Sequence, residues 1–147
     1  MAYFEWAQDM AIDDGPIDAD HRNLVDLVNE LHTATSEGRG HEVIEKVMER
    51  VIRYTKEHLI REEQIMASIH FPNLEMHKKG HAKFAKQLGE LQLKFERGSI
   101  TVASQLSTVL RDWLSLHIRR SDKEIKVFLQ KQATGKSGTQ ARPKLLG

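Results

Sequence analysis

Apolar residues recur along most of the chain at alternating intervals of three and four, the spacing that lines one face of an α-helix. After the turn signal Asp13-Asp14-Gly15-Pro16, Asp18 is placed to cap a first helix with His21, Leu24, Val28 and Leu31 on its inner face. Gly38-Arg39-Gly40 stops it. A second, longer segment over roughly 41–69 turns Ile44, Met48, Val51, Thr55, His58, Glu62, Ile65 and Ile69 inward. Phe71-Pro72-Asn73 breaks it, and Asn73 is placed to cap a third helix. That helix carries Leu74, His77, His81, Phe84, Leu88, Leu91 and Phe95 and ends at Arg97-Gly98. The fourth starts near Ser99 with Val102, Leu106, Leu110, Trp113 and His117, followed by Ile125 and Phe128.

Four amphipathic segments joined by short connections predict an all-α fold, an antiparallel up-down-up-down four-helix bundle. An N-terminal arm precedes it within a domain spanning 1–132. Residues 133–147 show no periodicity and are expected to form a disordered, flexible tail. Nine Gly, three Pro and 6% aromatics agree with few turns and long helices. Lys and Arg number 22 against 21 Asp and Glu, for a formal net charge of +1, which argues against sequence-blind nucleic-acid binding. No run approaches the roughly 18 apolar residues that a membrane span needs. The N-terminus lacks the basic start and apolar stretch of a signal peptide, so the expected location is the cytoplasm. The basic cluster Arg119, Arg120 and Lys123 reads as a solvated helix face.

Cysteine is absent, which removes disulfide scaffolds, thiolate metal sites and thiol catalysis together. Eight histidines are present. His58 and Glu62, and His77 and His81, are i,i+4 pairs and so lie one turn apart on a single helix face. That face is the apolar one. His21 and His117 take inward positions on the other two helices, so every helix turns at least one histidine toward the same axis. A single buried histidine needs no metal. Five with a carboxylate are different, because each unpaired buried polar group costs about 1–3 kcal/mol, against a whole-domain stability of about 5–15 kcal/mol. Metal coordination removes that penalty. His32, His41 and His70 fall at helix ends or loops and read as solvated.

Asp122 completes the set on one condition. Five residues of regular helix separate it from His117 by about 140° of rotation. The two share a site only if the backbone widens into a π-type turn between them. With Asp122 counted, five imidazoles and two carboxylates exceed what one octahedral ion takes, and two ions are required. Two bridging carboxylates, five imidazoles and a solvent-derived bridge fill eleven of twelve positions, leaving one open for a small diatomic ligand. The sulfur-free N/O set suits iron, with manganese as an alternative; zinc is satisfied by fewer ligands. A ferritin-like site needs Glu-x-x-His, and no histidine here has Glu three residues before it. The zinc-protease motif fails as well: His41-Glu42 is followed by Glu45 where the second histidine belongs.

The residues that carry this chemistry resemble the hemerythrin family, specifically its stand-alone bacterial members, over about residues 4–130. The matching pieces are Trp6, Ile17-Asp18-Ala19-Asp20-His21 and Tyr54-x-x-x-His58-Leu59-x-x-Glu62-Glu63, then His77-x-x-x-His81-x-x-Phe84 and Trp113-Leu114-x-x-His117-Ile118-x-x-x-Asp122. Leu59 departs from the pattern, since the family often has Phe there. The resemblance implies two non-heme irons joined by an oxo or hydroxo group. His77, His81 and His117 would hold one, His21 and His58 the other, with Glu62 and Asp122 bridging. O2 would bind at the open position of the iron on His21 and His58, with Leu24, Leu114 and Ile118 lining its pocket.

The expected function is reversible O2 binding for carriage, storage or delivery by a non-enzymatic protein. Three alternatives are an oxygen or redox sensor, a di-iron enzyme reducing peroxide or NO, and an iron store. A sensor normally needs an output domain, and none fits within these 147 residues. The expected partners are O2 and a reductase or an O2-consuming enzyme, with no nucleic acid and no membrane insertion. A monomer is expected.

Overall fold

The computed structural model describes residues 2–99 and 101–138. The predicted helices are present as α1 (Pro16–Ser36), α2 (His41–Ser68), α3 (Leu74–Glu96) and α4 (Val102–His117). A π-helical turn, Ile118–Asp122, runs from α4 into α5 (Lys123–Gly138). The backbone stays in the right-handed helical region at His117, Ile118 and Lys123, so α4, the π turn and α5 form one rod. Among the described residues there is no strand. α1 packs on α2 and α4, and α3 packs on the same two, which makes a four-membered ring of neighbours. The connections 37–40, 69–73 and 97–101 are short, and each returns the chain antiparallel.

Three helix ends are built alike. Gly38, His70 and Gly98 have positive φ (66°, 57° and 99°) after α1, α2 and α3. In each, the next amide reaches back to a carbonyl in the last turn: Arg39 to Ala34, Phe71 to Met66 and Ser99 to Lys94, at 2.9–3.2 Å. The N-terminal ends differ from expectation. α1 begins at Pro16, whose missing N–H suits the first turn. The capping carboxylate is that of Asp13, which accepts from the amides of Gly15, Ile17 and Asp18. Asp18, expected to cap, is buried inside the helix and accepts from the amides of Ile12 and Asp14, both at 2.8 Å. Asn73 precedes α3 but its side chain donates to Glu124 Oε1 at 2.8 Å instead of capping.

The N-terminal arm is fastened along the bundle. Asn29 accepts from the Phe4 amide (2.8 Å) and donates to the Phe4 carbonyl (2.7 Å). Tyr3 stacks on His32. A short 3-10 turn, Gln8–Met10, reaches the π turn: Arg119 donates to the Asp9 carboxylate (2.9 Å) and Lys123 to the Asp9 carbonyl (2.8 Å). Arg119 and Lys123, read from sequence as a solvated face, therefore hold the arm. The tail expected from residue 133 also differs, because α5 continues to Gly138; residues 139–147 lie outside the described residues.

One core runs the length of the bundle, from Phe4 and Met10 in the arm through Leu24, Leu31, Met48, Phe84, Leu106 and Leu114 to Ile125. Nine buried polar or charged residues interrupt its apolar packing, and six of them are His21, His58, Glu62, His77, His81 and Asp122.

Candidate metal centre

Helical spacing brings the candidate ligands to one level of the bundle. α1 supplies His21, α2 His58 and Glu62, α3 His77 and His81, α4 His117, and the π turn Asp122. Six of the seven are at most 5% exposed, and the side chain of His117 is 9% exposed. The widened turn required to bring Asp122 round is present over Ile118–Asp122, and Asp122 Oδ1 lies 3.0 Å from His117 Nε2.

The two carboxylates divide their oxygens in the same way. Glu62 Oε2 faces His21 Nε2 (3.5 Å) and His58 Nε2 (3.3 Å), while Oε1 faces His81 Nε2 (3.2 Å) and His117 Nε2 (3.7 Å). Asp122 Oδ2 faces His21 Nε2 (3.3 Å) and Oδ1 faces His117 Nε2. His77 stands at the edge of the second group, with Nδ1 4.0 Å from Asp122 Oδ1 and Nε2 3.7 Å from Glu124 Oε1. Two sets of donor atoms result, each within 4.8 Å: His21, His58 and Glu62 in one, and Glu62, His77, His81 and His117 in the other.

The donors fit metal ions better than they fit one another. His21 Nε2 and His58 Nε2 are 3.1 Å apart, and His81 Nε2 and His117 Nε2 3.3 Å. Donors about 2.1 Å from an ion and at right angles around it are about 3.0 Å apart. Both oxygens of Glu62, both of Asp122 and both ring nitrogens of His77 are buried without a hydrogen bond, a costly arrangement unless a cation satisfies them.

The electrostatics agree. Burial alone lowers the His21 pKa, but Asp122 and Glu62 outweigh it and raise it to about 9. Burial likewise works against His117, and the same carboxylates raise it to about 10. Burial pushes Glu62 up, yet the imidazoles of His117, His21, His58 and His81 hold it well below the usual carboxylate range. The cavity favours positive charge at its centre.

Outside this ring, two imidazoles are tied to carboxylates that sequence reasoning missed. His58 Nδ1 lies 2.9 Å from Asp20 Oδ2, and His81 Nδ1 lies 2.9 Å from Glu63 Oε2. Asp20 also accepts two hydrogen bonds from Arg61 (2.9 and 3.0 Å) and one from the Tyr54 hydroxyl (2.8 Å). The available signal was adjacency: Asp20 precedes His21, Glu63 follows Glu62, and Tyr54 and Arg61 flank His58 at helical spacing. His117 is held from its face, stacked on Trp113 (4.2 Å), which stacks on Phe84 (3.8 Å).

Leu24, Leu114 and Ile118, the expected pocket walls, are each at most 1% exposed. None of them lines the cleft of about 450 Å³ that reaches the outer edges of His77 and His117 between Gly80, Phe84, Trp113 and Ser121. The three remaining histidines stay apart from the centre. His41 and His70 are exposed, and half-buried His32 packs on Tyr3. No helix among the described residues is long and apolar enough to cross a membrane.

A four-helix bundle with a buried, sulfur-free nest of histidines shared by two carboxylates defines a class of bundle able to hold metal. Residues 15–129 match the Hemerythrin HHE cation binding domain, and the chain belongs to that family. It is similar to the bacteriohemerythrin of Stenotrophomonas maltophilia, 35% identical over 83% of this chain and 78% of that one. The bacteriohemerythrin of Methylococcus capsulatus is 32% identical over 84% of this chain and 94% of its own. A crystal structure of a hemerythrin leucine-to-alanine mutant superposes with a TM-score of 0.78 at 28% identity, covering 86% of this chain and 97% of that one.

Proposed function

We propose that this protein binds O2 reversibly at a non-heme di-iron centre, for carriage, storage or delivery, and is not an enzyme. The observation that carries the reading is the division of Glu62 and Asp122, each with one oxygen toward His21 and the other toward His117. Such a carboxylate pair would serve an ion on each side. His77, His81 and His117 would hold one iron and His21 and His58 the other, and the donor set of nitrogen and carboxylate oxygen suits iron. The names of the relatives, bacteriohemerythrin and hemerythrin, support the same reading. Iron held by these residues would supply the electrons for reversible O2 binding.

The remaining roles belong to the chain. Glu62 and Asp122 hold the two histidine groups at one level. Leu24, Leu114 and Ile118 wall the site on the His21 side and keep water out, which slows irreversible oxidation. A cytoplasmic monomer served by a reductase or an O2-consuming enzyme belongs to this reading.

The test is optical. The protein is reduced anaerobically, exposed to O2 and then stripped of it. A charge-transfer band that appears and disappears over repeated cycles is expected. Immediate conversion to a permanently oxidised form, or steady O2 consumption with a reductant, would overturn carriage in favour of sensing or turnover.

A further inference from the structure

His58 is the one candidate ligand tied to a hydrogen-bonded chain that reaches solvent through a guanidinium. Its Nδ1 meets Asp20 Oδ2 at 2.9 Å. A carboxylate only accepts, so Nδ1 carries the proton and Nε2 presents its lone pair toward Glu62 and His21. Asp20 is itself fixed. Arg61 grips it with Nε on Oδ2 (2.9 Å) and Nη2 on Oδ1 (3.0 Å), and Tyr54 donates to Oδ1 at 2.8 Å. Asn23 donates in turn to the Tyr54 hydroxyl (2.9 Å), and the Arg61 guanidinium lies 5.1 Å from the centre of the Tyr54 ring. The bidentate fork leaves Asp20 little freedom to turn. An ordinary surface ion pair between α1 and α2 would not need a buried imidazole as its third member.

The other imidazoles are held differently. His81 has Glu63, which no arginine grips at hydrogen-bond distance, and His21 Nδ1 has no partner. The Asp20 chain thus acts on one histidine, in one of the two groups.

We propose that Asp20, clamped by Arg61 and Tyr54, is a positioning residue that fixes the tautomer and ring angle of His58 and so sets how firmly the His21/His58 side holds its ion. This rests on the di-iron reading. Groups that orient a metal-binding histidine in this way are each worth on the order of 10–100-fold in metal affinity.

The test uses the full-length, iron-loaded, reduced protein in water, read by proton NMR and by challenge with EDTA. In the wild type, imidazole N–H protons near the irons should give exchangeable, strongly shifted resonances. Asp20→Ala should move or exchange-broaden one of them, leave the rest in place, and lower the EDTA needed to remove half the iron by on the order of 10–100-fold. Asp20→Glu should restore part of both. Arg61→Met, at a side chain 40% exposed and so tolerant of change, should move the same resonance by less, and it stands as the test should Asp20→Ala not fold. Unchanged spectra and EDTA resistance in Asp20→Ala or Arg61→Met would overturn the proposal alone. So would a shift of all resonances together with a lost melting transition, the mark of a merely structural residue. A wild type with no shifted resonances would overturn the di-iron reading and this proposal with it.

Discussion

His117 and Asp122, five residues apart, meet at 3.0 Å because the backbone between them is π-helical. The turn absorbs one extra residue and no more. Deleting Ser121 returns the pair to i,i+4 spacing, which still faces one side of a helix, so the shortened protein should keep its iron and its fold. Inserting an alanine after Ser121 rotates the carboxylate by about a further 100°, and should reduce iron from about two per chain to one or none. Iron analysis with circular dichroism checks both.

Glu62 touches four imidazoles and is fully buried. Glu62→Gln keeps the shape but removes the charge and one oxygen donor. It should leave at most one iron per chain. Because an ion bound far above its dissociation constant stabilises the folded state by about 3–4 kcal/mol, melting should fall on the order of 10 °C, as read by calorimetry on the purified proteins.

Most of this centre was legible because a helix reports its inner face by spacing. His21, His58, Glu62, His77, His81 and His117 stood where Leu or Val would otherwise stand. Asp122 was legible only on the condition of a π-type turn, which the backbone forms over Ile118–Asp122. Asp20 and Glu63 were not, because they sit one residue off the stripe, where charged side chains are the ordinary face of a helix. Their role appears only when two helices are packed together. The cap of α1 differs from its expected residue for a related reason: the helix starts at Pro16, ahead of Asp18, so Asp13 caps and Asp18 pins the arm.

The proposed apolar walls give a separate prediction. Leu24 is fully buried three residues after His21. Leu24→Ala should cost about 2–5 kcal/mol of stability and, by admitting water beside the His21 side, shorten the time the reduced protein survives in air. Denaturant unfolding and the decay of the O2-dependent absorption band measure the two effects.

The arm gives another. Asp9 is exposed, so its pair with Arg119 contributes little to global stability. It does tie the arm to the π turn. Asp9→Ala should leave the melting temperature nearly unchanged while speeding hydrogen exchange at the amides of residues 118–122. The same acceleration is expected of the wild type in high salt, which screens the pair.

Seven residues on four helices and one π turn are proposed to hold two ions between Glu62 and Asp122. Anomalous diffraction at the iron absorption edge from crystals of the purified protein would decide the matter. Two iron peaks are predicted, one against Nε2 of His21 and His58 and one against Nε2 of His81 and His117, with Glu62 and Asp122 between them. A single peak, or a site filled by one zinc ion, would contradict it.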